Sequence, residues 1–253
     1  MTPLSVTIIT KNEASNIAEV LQSVSWADET IVVDAESTDE TVAIARCHAT
    51  QVIVRPWKGY GDQKNYAAGL ASHDWILSID ADERVTPALA DEIRRTLEAK
   101  PAEHGFLLPR VTYHLGRWIR STDWYPDNQL RLYDRRHARW DDRHVHESIT
   151  VAGRVRRLDG ELKHFAYRNL SHHLQTIDRY TTLAALQMSE EGRRAGFLDL
   201  LFHPPLAFLR NYVLRLGVRD GLPGLVISLL NSYYVMLKFA KLWELQRGDR
   251  NRL

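Results

Sequence analysis

The chain is poor in the residues that usually announce a disulfide-stapled fold or a glycine-cradled cofactor. Its one cysteine, Cys47, cannot form an internal disulfide, which fits a reducing compartment. Cys47 itself reads as a small residue on a helix. There are 13 glycines, yet neither G-x-G-x-x-G after the first strand nor G-x-x-x-x-G-K-[ST] anywhere. A dinucleotide Rossmann site and a P-loop are therefore not expected. The N-terminus lacks a basic stretch followed by a long apolar region, and Leu4–Ile9 is too short to stand in for one, so no secretory signal is expected. An unbroken apolar run of ~20 residues, as a spanning helix needs, is also missing. Net charge is small, at +1.

That small charge hides an asymmetry. Residues 1–104 hold 9 Lys/Arg against 17 Asp/Glu, a balance of −8. Residues 105–168 hold 13 against 8, and residues 203–253 hold 8 against 3, each +5. An acidic front followed by a basic middle and tail points to a metal-and-phosphate site and then to surfaces that meet anions. With 253 residues, 44% of them apolar and 26% charged, the chain can bury a full core as one large domain or one domain plus an appendage.

The most informative stretch is Trp75-Ile76-Leu77-Ser78-Ile79-Asp80-Ala81-Asp82-Glu83. A short apolar run after His73-Asp74 reads as a buried strand ending on three carboxylates in four residues. Crowded carboxylates repel one another and resist burial, so something cationic must offset them. A divalent metal carrying a phosphate-bearing substrate is the natural candidate. Taken alone, the pattern reads more readily as a solvated acidic turn before the next helix than as a site.

Around it the chain alternates strand and helix. Leu4–Thr10 is β-branched and breaks at Lys11-Asn12-Glu13. Asn16 with Glu19 has capping-box spacing, and Ile17, Val20, Leu21 and Val24 form a helical stripe. Glu29–Asp34 is a second strand, and Ser37 with Glu40 opens a second helix. Gln51–Val54 is a third strand ended by Arg55-Pro56, and a Gly59/Gly61 loop leads into a helix through Gln63–Ala68. Thr86-Pro87 pairs an N-cap with proline at the first helical position. This alternation predicts an α/β fold with a mainly parallel sheet covered by helices on both faces. Ligands of such sheets sit outside the carboxyl ends of the strands. There the chain delivers Thr10, Asn12, Glu13, Asp34, Glu36, Asp80 and Asp82 from three separate strands.

Val6–Glu13, Val32–Asp39 and Asp80-Ala81-Asp82-Glu83, in this order and spacing, resemble the family 2 inverting glycosyltransferases of GT-A fold. The middle and tail look like the lipopolysaccharide-core β-1,4-glucosyltransferases that act on inner-core heptose. The resemblance implies residues 1–104 as a nucleotide-sugar-binding half and 105–175 as an acceptor-binding half of one GT-A domain. Residues 176–253 would be a helical appendage. It implies a nucleotide-sugar donor, UDP-glucose, held by Thr10, Asn12, Glu13, Asp34, Glu36, Lys64, Asp80 and Ala81. It also implies Mg²⁺ or Mn²⁺ on Asp82 and Asp80, with His164, after the short strand Leu162-Lys163, added to the metal shell. At position 36 many relatives carry glycine, so Glu36 is a departure. Lys64 reads equally well as a helix-surface lysine, and His164 as a structural histidine.

Residues 105–168 lose the alternation. Phe106–Pro109 and Gln129–Tyr133 read as short strands among Tyr113, Trp118, Trp124, Tyr125 and Trp140. Aromatic faces suit sugar rings, and arginines suit phosphorylated sugars or diphosphates; both are also ordinary packing. In the resemblance, the His-Glu dipeptide of His144-Val145-His146-Glu147 carries the general base, Glu147, with Asp127 of Tyr125-Pro126-Asp127-Asn128 the runner-up. Two histidines without a nearby third ligand make a weak zinc signal. The Gln-x-x-Arg-Trp signature of processive synthases is absent, Gly116-Arg117-Trp118 being the nearest fragment. Single addition is therefore expected over polymerisation.

A helix is expected from about Ile177 to Arg193. Beyond it Leu206–Leu216 and Leu222–Trp243 are apolar, the second interrupted by Asn231, Ser232 and Lys238. With flanking Arg and Lys, this reads as an in-plane or docked helix pair on an anionic membrane surface, or as a hairpin packed on the domain or on a second subunit of a homodimer. The expected setting is cytoplasmic, peripheral on the inner face of the inner membrane, with a lipid-linked saccharide acceptor and no nucleic acid. Transfer to polyprenyl phosphate or another envelope polysaccharide precursor is the alternative. Aspartyl phosphoryl transfer at Asp80-Ala81-Asp82 leaves Asn12 and Asp34 unexplained.

Overall fold

The computed structural model describes residues 2–141 and 148–248. Glu147, with His144 and His146, lies outside the described residues. Met1–Arg110 with Asp127–His164 form one compact unit, and Val111–Pro126 with Phe165–Leu253 form a second.

The first unit opens with β1 (Leu4–Thr10), α1 (Ile17–Ser23), β2 (Glu29–Asp34), α2 (Thr41–Arg46), β3 (Gln51–Val54), α3 (Tyr60–Leu70) and β4 (Trp75–Asp80). Short β5 (Glu83–Val85) and α4 (Pro87–Glu98) follow. The strands run in the order β3-β2-β1-β4, all parallel. Every residue of β1 is buried, as a strand covered on both faces requires. Ile17, Val20, Leu21 and Val24 are wholly buried or nearly so against this sheet, confirming the stripe read from the sequence. Register decides where the site lies: Thr10 stands opposite Asp34, and Ile9 opposite Asp80. The carboxyl ends of β1, β2 and β4 are thus level, and their polar residues share one rim.

The strand direction then changes. β6 (Gly105–His114) and, after β7 (Arg117–Ile119), β8 (Asp127–Asp134) are longer than the short strands expected. β8 runs antiparallel to β4 and to β6, so the sheet is mixed. β9 (Ala138–Trp140) pairs with β10 (Ile149–Val151), β11 (Val155–Arg157) lies beside β6, and β12 (Leu162–His164) pairs antiparallel with β5.

Two expected helix caps do not form. Asn16 and Glu19 form no capping box: the Asn16 amide donates to Glu13 at 2.7 Å and its oxygen accepts from Arg84 at 2.9 Å. Ser37 does not open α2, which begins at Thr41, because the Ser37 side chain is committed to Asp34. Thr86 caps α4 as expected, accepting from the Leu89 amide at 3.2 Å, with Pro87 in the first turn.

In the second unit the outer half of β6 pairs with β7. Three helices complete it: α5 (Leu170–Glu190), α6 (Phe197–Leu209) and α7 (Gly221–Gln246). α5 starts seven residues before the expected Ile177, because Asn169 accepts from the His172 amide and caps it there. Ala185, Met188, Phe239, Leu242 and Leu245 form the core between α5 and α7. Between α6 and α7 the chain makes a π turn at Arg210–Leu214 and a 3₁₀ turn at Gly217–Asp220.

Candidate active site

The rim is built from two interlocked loops. After β1, Asn12 takes a left-handed backbone, φ 54°, which its short polar side chain tolerates. Its amide donates to Ser37 Oγ at 2.7 Å, and its side-chain oxygen accepts from the Thr38 amide at 2.8 Å. The Glu13 amide donates to Thr41 Oγ1 at 2.8 Å. Asp34, wholly buried at the end of β2, accepts from the Ser37 amide at 2.8 Å and from its hydroxyl at 2.5 Å. Thr10 is buried, and its hydroxyl has no hydrogen-bond partner among the described residues. Glu36 is exposed with φ 55°. That is the backbone region glycine enters freely, so the departure at position 36 is one of conformation. The structure therefore brings Thr10, Asn12, Glu13 and Asp34 together, with Glu36 at the outer edge.

The three carboxylates after β4 have three different surroundings. Asp80 accepts from Arg131 on β8 and, at 3.1 Å, from Lys64 on α3, whose ammonium also lies 4.4 Å from the Trp140 ring centre. Burial pushes the Asp80 carboxyl up, but Arg131 and Lys64, with Arg110 behind them, pull it well below its ordinary 3.8. Glu83 is wholly buried. It accepts from Arg110 at 3.0 Å, from Arg131 at 2.8 Å and from the Asp80 amide at 2.9 Å. Asp82 lies beside a histidine: His164 Nε2 on β12 is 3.3 Å from its carboxylate. Burial raises the Asp82 carboxyl, and the His164 hydrogen bond and charge more than offset that, leaving it low. Ala81, between them, accepts from Arg84 at 2.9 Å through its carbonyl.

The cation that crowded carboxylates call for is thus a pair of arginines and a lysine for Asp80 and Glu83. Sequence reading counted Glu83 among the crowded carboxylates without giving it a role, and missed Arg110 and Arg131. The alternation in Gln129-Leu130-Arg131-Leu132-Tyr133 was a usable signal, since it sends Arg131 to the same face as Gln129 and Tyr133. Asp127 is held by Arg110 through two nitrogens, at 2.8 and 2.6 Å, and by Gln129 at 2.5 Å.

Among the described residues no three His, Cys, Asp or Glu side chains form a ready metal cage. Asp82 with His164 is a two-donor pair, one oxygen and one nitrogen, both partly exposed. Such a sparse set fits a hard divalent cation whose other positions are filled by water and phosphate oxygens.

The sequence pattern of glycosyl transferase family 2 matches residues 5–159, and the chain belongs to that family. Over 249 residues it is 32% identical to the lipopolysaccharide core biosynthesis glycosyltransferase LpsC of Rhizobium meliloti (strain 1021), covering 96% of this chain and 92% of LpsC. It is 30% identical to the uncharacterized glycosyltransferase RP128 of Rickettsia prowazekii (strain Madrid E), covering 99% and 90%. Among solved structures it is similar to glucosyl-3-phosphoglycerate synthase from Mycobacterium tuberculosis, at 24% identity and TM-score 0.38 over 44% of each chain.

Proposed function

We propose that this glycosyltransferase moves glucose from UDP-glucose onto an inner-core heptose of lipopolysaccharide, with inversion and by single addition. The observation that carries the reading is the Asp82–His164 pair beside the cation-held Asp80, on the rim that Thr10 and Asp34 share. The name of the Rhizobium meliloti relative, matched along nearly its whole length, supports the acceptor class. The resemblance noted in the sequence supports glucose and heptose.

Thr10, Asn12, Glu13 and Asp34 receive the nucleoside. Asp82 and His164 hold Mg²⁺ or Mn²⁺, which when bound supplies positive charge against the departing diphosphate. Lys64 and Arg131 fix Asp80 beside this pair, so the Asp80-Ala81-Asp82 turn is set before substrate arrives. Glu147 takes the proton of the acceptor hydroxyl as that oxygen attacks the anomeric carbon. The new carbon–oxygen bond forms opposite the breaking bond to UDP, so the configuration inverts. Glu147 lies outside the described residues and its role rests on the resemblance. The engagement of both Asp127 oxygens by Arg110 and Gln129 favours Glu147 over it. A lipid-linked acceptor agrees with a peripheral position on the cytoplasmic face of the inner membrane.

The test is UDP release and product mass with UDP-glucose, Mn²⁺ and truncated core acceptors. The expected product carries one added hexose with a β-anomeric proton coupling. No UDP release with any core acceptor and metal present overturns the proposal. Glucosylation of polyprenyl phosphate and not of core selects the alternative acceptor.

A further inference from the structure

α6 turns its apolar side outward. Phe197, Leu198, Leu201, Phe202, Leu206 and Leu209 recur on one helical face and are 48–75% exposed. Its two polar residues, exposed His203 and partly exposed Asp199, lie on the other face. Asp199 and His203 pair at 3.2 Å, and His203 stacks on Phe239 of α7 with ring centres 4.8 Å apart. A surface helix of a soluble protein shows the reverse pattern. The exposed apolar band continues past α6 through Val213, Leu214, Val218 and Leu222, 49–72% exposed. Arginines lie at both ends of the band: Arg193 and Arg194 before α6, and Arg210, Arg215 and Arg219 after it, all exposed. From residue 193 to 219 the only acid is Asp199.

A contiguous apolar band of this kind marks an interaction surface. Its charge pattern decides the occupant. A second copy of the same face would set arginines against arginines. A leaflet with an apolar interior and anionic headgroups matches both the band and its margins. α7 is 26 residues long, about 39 Å, and with the preceding turn it is long and apolar enough to cross a membrane. Its packing argues against crossing. Lys241, on the buried side of α7, donates to the Asp178 carbonyl and carboxylate, both at 2.7 Å, and to Thr181 and Thr182 of α5. A spanning α7 would carry these groups into hydrocarbon.

We infer that the outer face of α6 and the turns that follow it, residues 197–222, form an in-plane anchor for an anionic bilayer surface. The turns between α6 and α7 are tight enough to act as a rigid tip: a Cβ on Gly224 would sit 1.9 Å from the Gly217 carbonyl oxygen. That tip also holds the β6–β7 hairpin and the turn after it. Asp123 bridges Arg210 and Asn211, while Asp220 accepts from Ser121 Oγ at 2.6 Å and from the Arg120 amide at 3.0 Å. Docking the tip therefore fixes the height of Trp118 and Trp124 above the headgroups. The anchor stands apart from the donor and acceptor assignment, because its readout needs no catalysis.

Flotation of the full chain with phosphatidylglycerol-containing and pure phosphatidylcholine vesicles tests it. Binding to the anionic vesicles is expected, weakened by salt. The triple variant Arg193→Gln, Arg194→Gln, Arg219→Gln is expected to bind roughly 100-fold more weakly, at about fivefold per charge. A second variant, Phe197→Ser with Leu201→Ser and Phe202→Ser, is expected to lose more than tenfold on the same vesicles, with an unchanged circular-dichroism spectrum. Equal binding to both lipids, no binding to either, or unchanged binding by the arginine variant overturns the proposal. So does a vesicle-free dimer that the Phe197 variant dissociates, which would give the face to a second copy. Failure of UDP release leaves the flotation result standing, so the two proposals fail separately.

Discussion

Replacing Glu83 with glutamine probes the arrangement beneath the rim. Glu83 has no exposed surface, and its two oxygens receive Arg110, Arg131 and the Asp80 amide at 2.8–3.0 Å. Glutamine has nearly the same shape but presents one N–H group toward donors and removes a negative charge. Arg131, 3% exposed, then keeps only Asp80, and Arg110 keeps Asp127. Breaking a buried pair by removing one partner costs about 3–5 kcal/mol, and the amide oxygen that glutamine retains brings Glu83→Gln to the low end, about 3 kcal/mol. For a chain of this length that is a fall in melting temperature of roughly 6–12 °C. The assay is urea unfolding with calorimetry, alongside an Arg131→Met variant and the double variant. The double-mutant cycle is expected to give a coupling of at least ~2 kcal/mol. A loss below ~1 kcal/mol, with additive single effects, would refute the reasoning and mean that Asp80 and Asp127 alone neutralise both arginines.

Other outcomes follow from the same contacts. Asp82→Asn is expected to leave the fold intact and lower kcat by roughly 10²-fold or more, and chelation is expected to abolish wild-type turnover, restored by Mn²⁺ or Mg²⁺; activity indifferent to chelator would refute the metal pair. Glu36→Gly relieves the left-handed strain at φ 55° and is expected to stabilise the protein by about 1 kcal/mol without weakening UDP binding in calorimetry. His173 is buried against His114 at 3.1 Å, and burial, with the neighbouring His114 and His172 charges, lowers its pKa from 6.5 to about 4. The unfolded chain therefore binds the extra proton first. Stability from this site is full above pH 6.5 and declines as the pH falls from 6.5 towards 4, by roughly 2–3 kcal/mol. His173→Gln should flatten that limb of the urea-midpoint profile.

The first half of the fold was legible in the residues because parallel strands covered on both faces are short, apolar and separated by helical periodicity. Leu4–Thr10, Glu29–Asp34 and Gln51–Val54 were bounded from such local signals, the fourth strand was read over Trp75–Glu83 where the structure ends it at Asp80, and their polar ends named the rim. Local signals also misled. Asn16/Glu19 and Ser37/Glu40 have the spacing of caps, yet both sets are taken by other partners: distant Arg84 for Asn16, and the Asn12 loop together with nearby Asp34 for Ser37. β6 and β8 read as shorter than they are, since their polar residues, Arg110, Asp127 and Arg131, bond to one another and to β4 rather than to solvent.

On its own, the sequence determined that three strand ends would carry Thr10, Asn12, Glu13, Asp34, Asp80 and Asp82, and that no glycine cradle would meet a diphosphate. It also determined that the Asp80–Glu83 cluster needed positive charge. Only the tertiary structure decided how that charge is supplied. An antiparallel β8 laid beside β4 brings Arg131 across about fifty residues of chain to Asp80 and Glu83, and β12 laid beside β5 brings His164 to Asp82. Spacing within a segment fixes which face a residue occupies. Which strand lies opposite is set by burial and backbone pairing across the whole sheet, and no local pattern encodes it.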